Sequence, residues 1–107
     1  MTIDKTLPQS IEAEMAVLGS MVIEKEAIAT VFDILTENDF YHESHRRIFL
    51  IIKNLYVENI PVDTVSVTDE LKKQKALVDI GGAAYITELI NTVSTAANVE
   101  HYAKIVR

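Results

Sequence analysis

Apolar residues repeat at helical spacing through the middle of this chain, and the repeat is clearest between residues 46 and 58. Its members fall at i, i+3, i+4, i+7 and i+8, which places their side chains on one face of an α-helix. They are Ile48, Ile51, Ile52, Leu55 and Tyr56. Pro61 restricts the residue before it and cannot continue a helix, so we predict that this helix ends near Asn59.

A helix start is encoded near the N-terminus. Pro8 lies just ahead of Ser10, whose hydroxyl can accept backbone N–H groups as an N-cap, and Glu12 and Glu14 would place negative charge at the positive end of the helix. An apolar stripe follows at helical spacing, formed by Ile11, Met15, Leu18 and Val22. We therefore predict a first helix over residues 10–22, with the two glutamates as an exposed acidic helix start.

Shorter repeats predict the remaining helices. The second follows a turn at residues 24–26, and its apolar residues are Ala27, Ile28, Val31, Phe32 and Leu35. Gly81 and Gly82 predict a turn before a fifth helix that carries Tyr85, and a sixth helix is expected to begin near Asn98. Six short helices without long heptads favour an all-α fold, a compact orthogonal bundle.

The segment from Val62 to Thr68 is compatible with two structures. Its β-branched residues have strand propensity, whereas Asp63 has the character of an N-cap. A lone strand would leave its backbone N–H and C=O groups unpaired, and the chain offers no second strand. We therefore predict a helix here, the fourth of the six.

Length and composition fit one folded domain. The chain has 107 residues, of which 49% are hydrophobic and 24% charged, the balance of a globular protein. We expect a flexible arm over residues 1–9 and the domain over residues 10–107. The absence of cysteine excludes disulfides and thiolate metal sites, and no apolar run approaches the ~20 residues that span a bilayer. We expect a cytoplasmic protein without a membrane anchor.

The charge balance opposes strong binding to DNA. Ten basic and sixteen acidic residues give a net charge of −6, whereas affinity for DNA comes largely from Lys and Arg. Two local basic sets could override this mean. They are Arg46, Arg47 and Lys53, and Lys72, Lys73 and Lys75. The alternative to a protein-interaction domain is thus a free-standing helical adaptor or DNA-binding domain that uses the third helix.

Candidate catalytic motifs are weak. His42, Glu43 and His45 resemble a zinc helix only superficially, because the metalloprotease pattern places its histidines at i and i+4 rather than i and i+3. Gly82 is followed by Ala rather than by the Lys of a phosphate-binding loop. We expect no catalytic residue, no metal and no cofactor, so this chain alone is not expected to be an enzyme. The acidic helix start and Tyr85 remain as candidate protein contacts, although a tyrosine suits a core equally well.

A series of ordered motifs resembles the N-terminal domain of bacterial DnaB-type replicative helicases. The first is Pro-Gln-Ser-Ile-Glu-Ala-Glu at residues 8–14, followed by Asp-Phe-Tyr at 39–41 and Pro-Val-Asp at 61–63. Gly-Gly-Ala-Ala-Tyr-Ile-Thr-Glu-Leu at 81–89 and Ala-Ala-Asn-Val at 96–99 complete the series. Together these motifs cover most of the chain.

The resemblance implies the helical head of a hexameric helicase, which forms the collar of the ring and self-associates into dimers and hexamers. The helical hairpin and the RecA-like, ATP-hydrolysing motor of that family are not expected in this chain. The resemblance also implies docking of the C-terminal domain of primase, with Glu12 and Tyr85 in the docking surface by their place in the motifs. A helicase loader is a further implied partner.

Overall fold

The computed structural model describes residues 7–93 and 98–107, with side chains described from Ile11 onward. Within these ranges the chain forms six α-helices, one short 3-10 helix and no strand, which confirms the all-α prediction. The α-helices are α1 (Leu7–Ile23), α2 (Lys25–Phe32), α3 (Glu43–Val57), α4 (Thr64–Lys73), α5 (Gly82–Asn91) and α6 (Val99–Val106), and the 3-10 helix spans Glu37–Asp39. Residues 1–6 of the expected arm lie outside the described residues.

The helix α1 is the hub of the bundle, because it packs against α2, α3, α5 and α6. Its Val17, Leu18 and Met21 are completely buried. The long helix α3 carries the strongest apolar repeat and buries most of it, whereas Tyr56 remains 36% exposed at the edge. The core therefore lies along α1 and α3, and the shorter helices cover it.

The start of α1 differs from the prediction. The helix begins at Leu7, so Ser10 lies inside it and is not the N-cap, and the first turn has no acidic residue. Pro8 is tolerated in this first turn because N–H groups there have no intrahelical acceptor. Glu12 and Glu14 consequently lie beyond the first turn, where the helix dipole no longer explains their presence.

The helix α2 is shorter than its apolar spacing suggested. It ends at Phe32, and Leu35 is buried after the helix rather than within it. The cause is a competing start signal, because Asp39 Oδ2 accepts the backbone N–H of Thr36 at 2.8 Å and thereby caps the 3-10 helix.

The starts of the last three helices agree with the sequence. Asp63 Oδ1 accepts the backbone N–H of Ser66 at 2.8 Å, so the fourth segment is the predicted helix. Gly81 and Gly82 have φ values of 106° and 76°, which L side chains rarely adopt. Gly81 ends the predicted turn as the N-cap of α5, and Gly82 is the first residue of that helix. Asn98 occupies the N-cap position of α6.

Candidate functional site

A buried carboxylate connects α1 to the start of α3. Glu14 is only 1% exposed, and its Oε2 accepts the backbone N–H of Tyr41 at 2.6 Å. Its Oε1 lies 2.6 Å from Nδ1 of His45 and 3.5 Å from the backbone nitrogen of His42. The prediction that Glu14 belongs to an exposed acidic helix start is therefore wrong, because α3 covers this part of α1.

His45 extends the connection from Glu14 to α5. It is 1% exposed, and its Nε2 lies 2.5 Å from the hydroxyl oxygen of Tyr85. The rings of His45 and Tyr85 are nearly parallel, at 15°, with their centroids 5.8 Å apart. Glu14, His45 and Tyr85 thus form one hydrogen-bonded chain across three helices, which we call the Glu-His-Tyr chain.

The environment of Tyr85 keeps its hydroxyl protonated. Burial, with the carboxylates of Glu88 and Glu14 nearby, raises the pKa of Tyr85 from 10.0 to about 12. The phenol therefore keeps its proton at neutral pH and can donate it to Nε2 of His45 when that nitrogen carries no proton. In that tautomer the Nδ1–H of His45 donates to Glu14, so every polar atom of the link is paired.

The order carboxylate, imidazole, hydroxyl is also that of a hydrolase triad. A triad needs a hydroxyl that the imidazole can deprotonate, whereas a pKa raised to about 12 makes the phenol of Tyr85 a weak candidate. The same chain satisfies buried polar groups and joins three helices. The arrangement is that of a structural link, and the expected lack of a catalytic residue stays a prediction.

One face of Tyr85 lines a shallow surface depression of about 260 Å³. The helix starts of α1, α3 and α5 meet there. The lining residues are Ile11, His42, Ser44, His45, Ile80 and Tyr85. Glu12 is exposed and adjacent to Ile11 in sequence but does not line the depression. The structure thus joins Tyr85 to Glu14 through His45, whereas Glu12 belongs neither to the Glu-His-Tyr chain nor to the lining of the depression.

Comparisons with known proteins agree with one another. The model of the DnaB-like helicase N-terminal domain family matches residues 6–107. The chain belongs to this family. It is 44% identical over 103 residues to the replicative DNA helicase DnaC of Bacillus subtilis, covering 96% of this chain and 23% of that protein. The replicative DNA helicase DnaB of Geobacillus stearothermophilus is 46% identical over 99 residues, which cover 92% of this chain and 22% of that helicase.

A solved structure of the same family has the same fold. The N-terminal domain of DnaB helicase from Mycobacterium tuberculosis matches with a TM-score of 0.88 at 45% identity. The match covers 90% of this chain and 67% of the other. The DnaB-like domain described here spans less than a quarter of the length of the two helicases above.

One member of each basic set of this DnaB-like domain is engaged within the domain. The guanidinium of Arg46 donates to the backbone oxygens of Phe40, at 2.8 Å, and Tyr41, at 3.3 Å, and it pairs with Glu43 at 3.1 Å. On α4, Lys73 pairs with Asp69 at 3.4 Å. Acidic neighbours therefore accompany a member of each basic set.

The histidines near the start of α3 do not cluster with carboxylates as metal ligands would. Both ring nitrogens of His45 are occupied by Glu14 and Tyr85. No group of three or more His, Asp or Glu side chains in residues 11–93 and 98–107 is arranged to hold a metal ion. In the same part of the chain, no helix is long and apolar enough to cross a membrane.

Sequence reasoning missed the Glu-His-Tyr chain, although a signal was present. Glu14 falls between Ile11 and Leu18 on the apolar stripe of α1, and His45 shares the apolar face of α3 with Ile48. A single charged group on an apolar face usually needs a partner when it is buried. A polar residue on the apolar face of each of two helices is the pattern expected when the two side chains pair with each other in the core. The sequence alone does not show which residues meet.

Proposed function

We propose that this domain is a non-catalytic interaction and assembly module of a hexameric replicative DNA helicase. In the whole protein it contributes to the collar of the ring, and a motor domain elsewhere supplies ATP-dependent unwinding of DNA. Membership of the DnaB-like N-terminal family and the names of the related helicases support this role. The cytoplasm is the compartment in which a bacterial helicase of this kind acts.

We further propose that the depression beside α5 helps to dock the C-terminal domain of primase during replication, with Tyr85 and Glu12 as contact residues. The observation that carries this proposal is the placement of Tyr85. It is half-buried, its hydroxyl is bonded inward to His45, and its ring lies beside the apolar side chains of Ile11 and Ile80. An aromatic ring held in the wall of a partly apolar depression is a favourable anchor for a partner.

Glu12 contributes charge rather than apolar area. It is exposed next to Ile11, so its carboxylate can attract a basic side chain of the partner. Rim charges of this kind change the association rate and its salt dependence more than the affinity. Tyr85 should therefore dominate the affinity of the complex.

An NMR titration of this domain with the C-terminal domain of the same organism's primase tests the docking proposal. We expect shifts clustered around Glu12 and Tyr85, and weaker binding by Tyr85→Ala. Tyr102→Ala is the matched control, because Tyr102 is also half-buried against the core but lies on α6. Equal weakening by both variants, or shifts confined to other surfaces, would refute the assignment of Tyr85.

The collar role needs the full-length protein. Mass measurement by light scattering should give a hexamer, and deletion of this domain should lower the stability of the ring to dilution. A hexamer whose dissociation is unchanged by the deletion would contradict the proposed assembly role. A helicase loader is a further partner that the same full-length protein can be used to test.

A further inference from the structure

We propose that Glu14 and His45 are positioning residues for Tyr85. The Glu-His-Tyr chain holds the phenol ring in the wall of the depression, so that a partner meets a ring that is already ordered. This inference rests on the proposed docking role of Tyr85. It adds that two buried residues, each only 1% exposed, determine how well that ring binds.

The inner end of the Glu-His-Tyr chain, at Glu14, is fixed by backbone groups. Glu14 Oε2 accepts the backbone N–H of Tyr41 at 2.6 Å, and Oε1 accepts from His45. Both Glu14 and His45 are 99% buried, so neither side chain has room to take another rotamer without breaking these bonds. His45 therefore presents its Nε2 to α5 in a fixed direction.

The outer end of the Glu-His-Tyr chain, at Tyr85, is half-buried. The hydroxyl of Tyr85 is bonded to His45, which leaves the ring and not the hydroxyl available to a partner. Gly81 at the start of α5 leaves room for this side chain, because a Cβ built on Gly81 would lie 3.1 Å from the Cβ of Tyr85. Without the bond to His45, the ring would have to be ordered during binding, at the expense of affinity.

Two replacements of His45 separate the two hydrogen bonds of the Glu-His-Tyr chain, the bond to Glu14 and the bond to Tyr85. The amide nitrogen of Asn corresponds in reach to Nδ1, so His45→Asn keeps a donor for Glu14 and loses the contact with Tyr85. The amide of Gln reaches to the position of Nε2, so His45→Gln keeps a partner for Tyr85. Ile52→Val is the matched control, because it trims a buried side chain of the same helix away from the depression.

NMR of the free domain gives the first readout, which needs no partner. In the wild type we expect one χ1 rotamer for Tyr85, a slowly exchanging hydroxyl proton, and ¹⁵N shifts of His45 typical of protonated Nδ1 and unprotonated Nε2. His45→Asn and Tyr85→Phe should average the χ1 rotamers of residue 85, whereas His45→Gln and Ile52→Val should not. An ordered ring in both His45→Asn and Tyr85→Phe would overturn the inference.

Binding of the primase C-terminal domain gives the second readout. We expect His45→Asn and Tyr85→Phe to weaken binding by about three- to tenfold, the cost of ordering one side chain. His45→Gln should bind more tightly than His45→Asn, and Ile52→Val like the wild type. Tyr85→Phe keeps the test valid if His45→Asn does not fold.

The outcomes distinguish the two proposals. If Tyr85→Ala weakens binding while His45→Asn and Tyr85→Phe bind normally with a mobile ring, docking through Tyr85 stands and the positioning role is overturned. If Tyr85→Ala also binds normally, the docking role of Tyr85 itself is refuted, and the positioning role falls with it. Ring mobility and weakened binding together in His45→Asn and Tyr85→Phe would support both proposals.

Discussion

Gly19 of α1 lies directly against the backbone carbonyl of Leu89 in α5, and a Cβ at position 19 would fall 2.1 Å from that oxygen. Real Cβ atoms do not approach a backbone oxygen this closely, so only glycine fits here without movement of one helix. The same two helices carry Glu14 and Tyr85, the two ends of the Glu-His-Tyr chain. The geometry of the candidate site therefore depends on a residue outside it.

Replacement of Gly19 with Ala should destabilise the domain by about 1–3 kcal/mol, because α1 and α5 must separate to accept the methyl group. Helix propensity alone predicts the opposite, a gain of about 0.5–1 kcal/mol. Urea denaturation measures the change in the free energy of unfolding. Ser20→Ala is the control, because its buried Oγ has no hydrogen-bond partner in the described part of the chain, and its removal should leave stability unchanged or raise it. A Gly19→Ala variant as stable as the wild type would show that the helices do not meet as described.

Glu14 and Glu12 should differ sharply in their contribution to stability, although they are two residues apart. Glu14→Ala leaves the Nδ1–H of His45 and the backbone N–H of Tyr41 without their acceptor and should lower the free energy of unfolding by about 2–5 kcal/mol. Glu12→Ala removes an exposed group and should change it by less than about 0.5 kcal/mol. Chemical denaturation of both variants under one set of conditions provides the comparison. Similar values for the two would mean that Glu14 is not buried with His45.

Tyr85 should make the stability of the domain sensitive to alkaline pH. Its pKa is raised to about 12 in the folded state, mainly by burial, against 10.0 for an ordinary tyrosine. Below pH 10 both folded and unfolded chains keep the proton, so the full contribution of Tyr85 to stability is present. Above that pH the unfolded chain releases its proton first, and stability falls as pH rises towards 12.

The ultraviolet absorbance of phenolate, compared between the wild type and Tyr85→Phe, isolates the titration of Tyr85 from that of the other tyrosines. Circular dichroism on the same samples shows whether the fold is intact at each pH. We expect the Tyr85 phenolate to form well above pH 10 in the folded protein. Its formation near pH 10 in a folded sample would contradict both the burial of the hydroxyl and its bond to His45.

Duplex DNA should not bind tightly to this domain at ~150 mM salt, where affinity depends on basic side chains that release counterions. The net charge is −6, and Arg46 is engaged with Phe40, Tyr41 and Glu43. Fluorescence anisotropy with a labelled duplex, repeated over a range of salt concentrations, measures this directly. Tight binding that weakens steeply with salt would instead favour a DNA-binding role. In that event Lys53→Ala should reduce the salt dependence, whereas Lys104→Ala on α6 should not.

Local signals were sufficient for most of the secondary structure. The apolar repeat of α3, the Asp63 N-cap and the Gly81 turn each depend on contacts within a few residues, and each prediction is confirmed. The start of α1 was wrong because Ser10 has the character of an N-cap but lies inside the helix. Local preference is a weak effect, and packing of the apolar stripe of α1 against four other helices outweighs it.

The candidate site was only partly accessible from sequence. Tyr85 was singled out by its motif and by the chemistry of its ring, and Glu12 by its motif and charge. The sequence predicts a surface position for Glu14, because paired carboxylates such as Glu12 and Glu14 are common on solvated helix ends. Its actual partners, Tyr41 and His45, are 27 and 31 residues away along the chain.

The sequence by itself determined that this chain has the all-α fold of a DnaB-like N-terminal domain, because helical periodicity, caps and ordered motifs are all properties of short stretches of chain. Only the tertiary structure decided that Glu14 is buried, that His45 joins it to Tyr85, and that Gly19 must be glycine. These facts depend on which faces of α1, α3 and α5 meet. Burial then changes the energetics of each polar group, since a carboxylate or a phenol removed from water must find its hydrogen-bond partners on another helix.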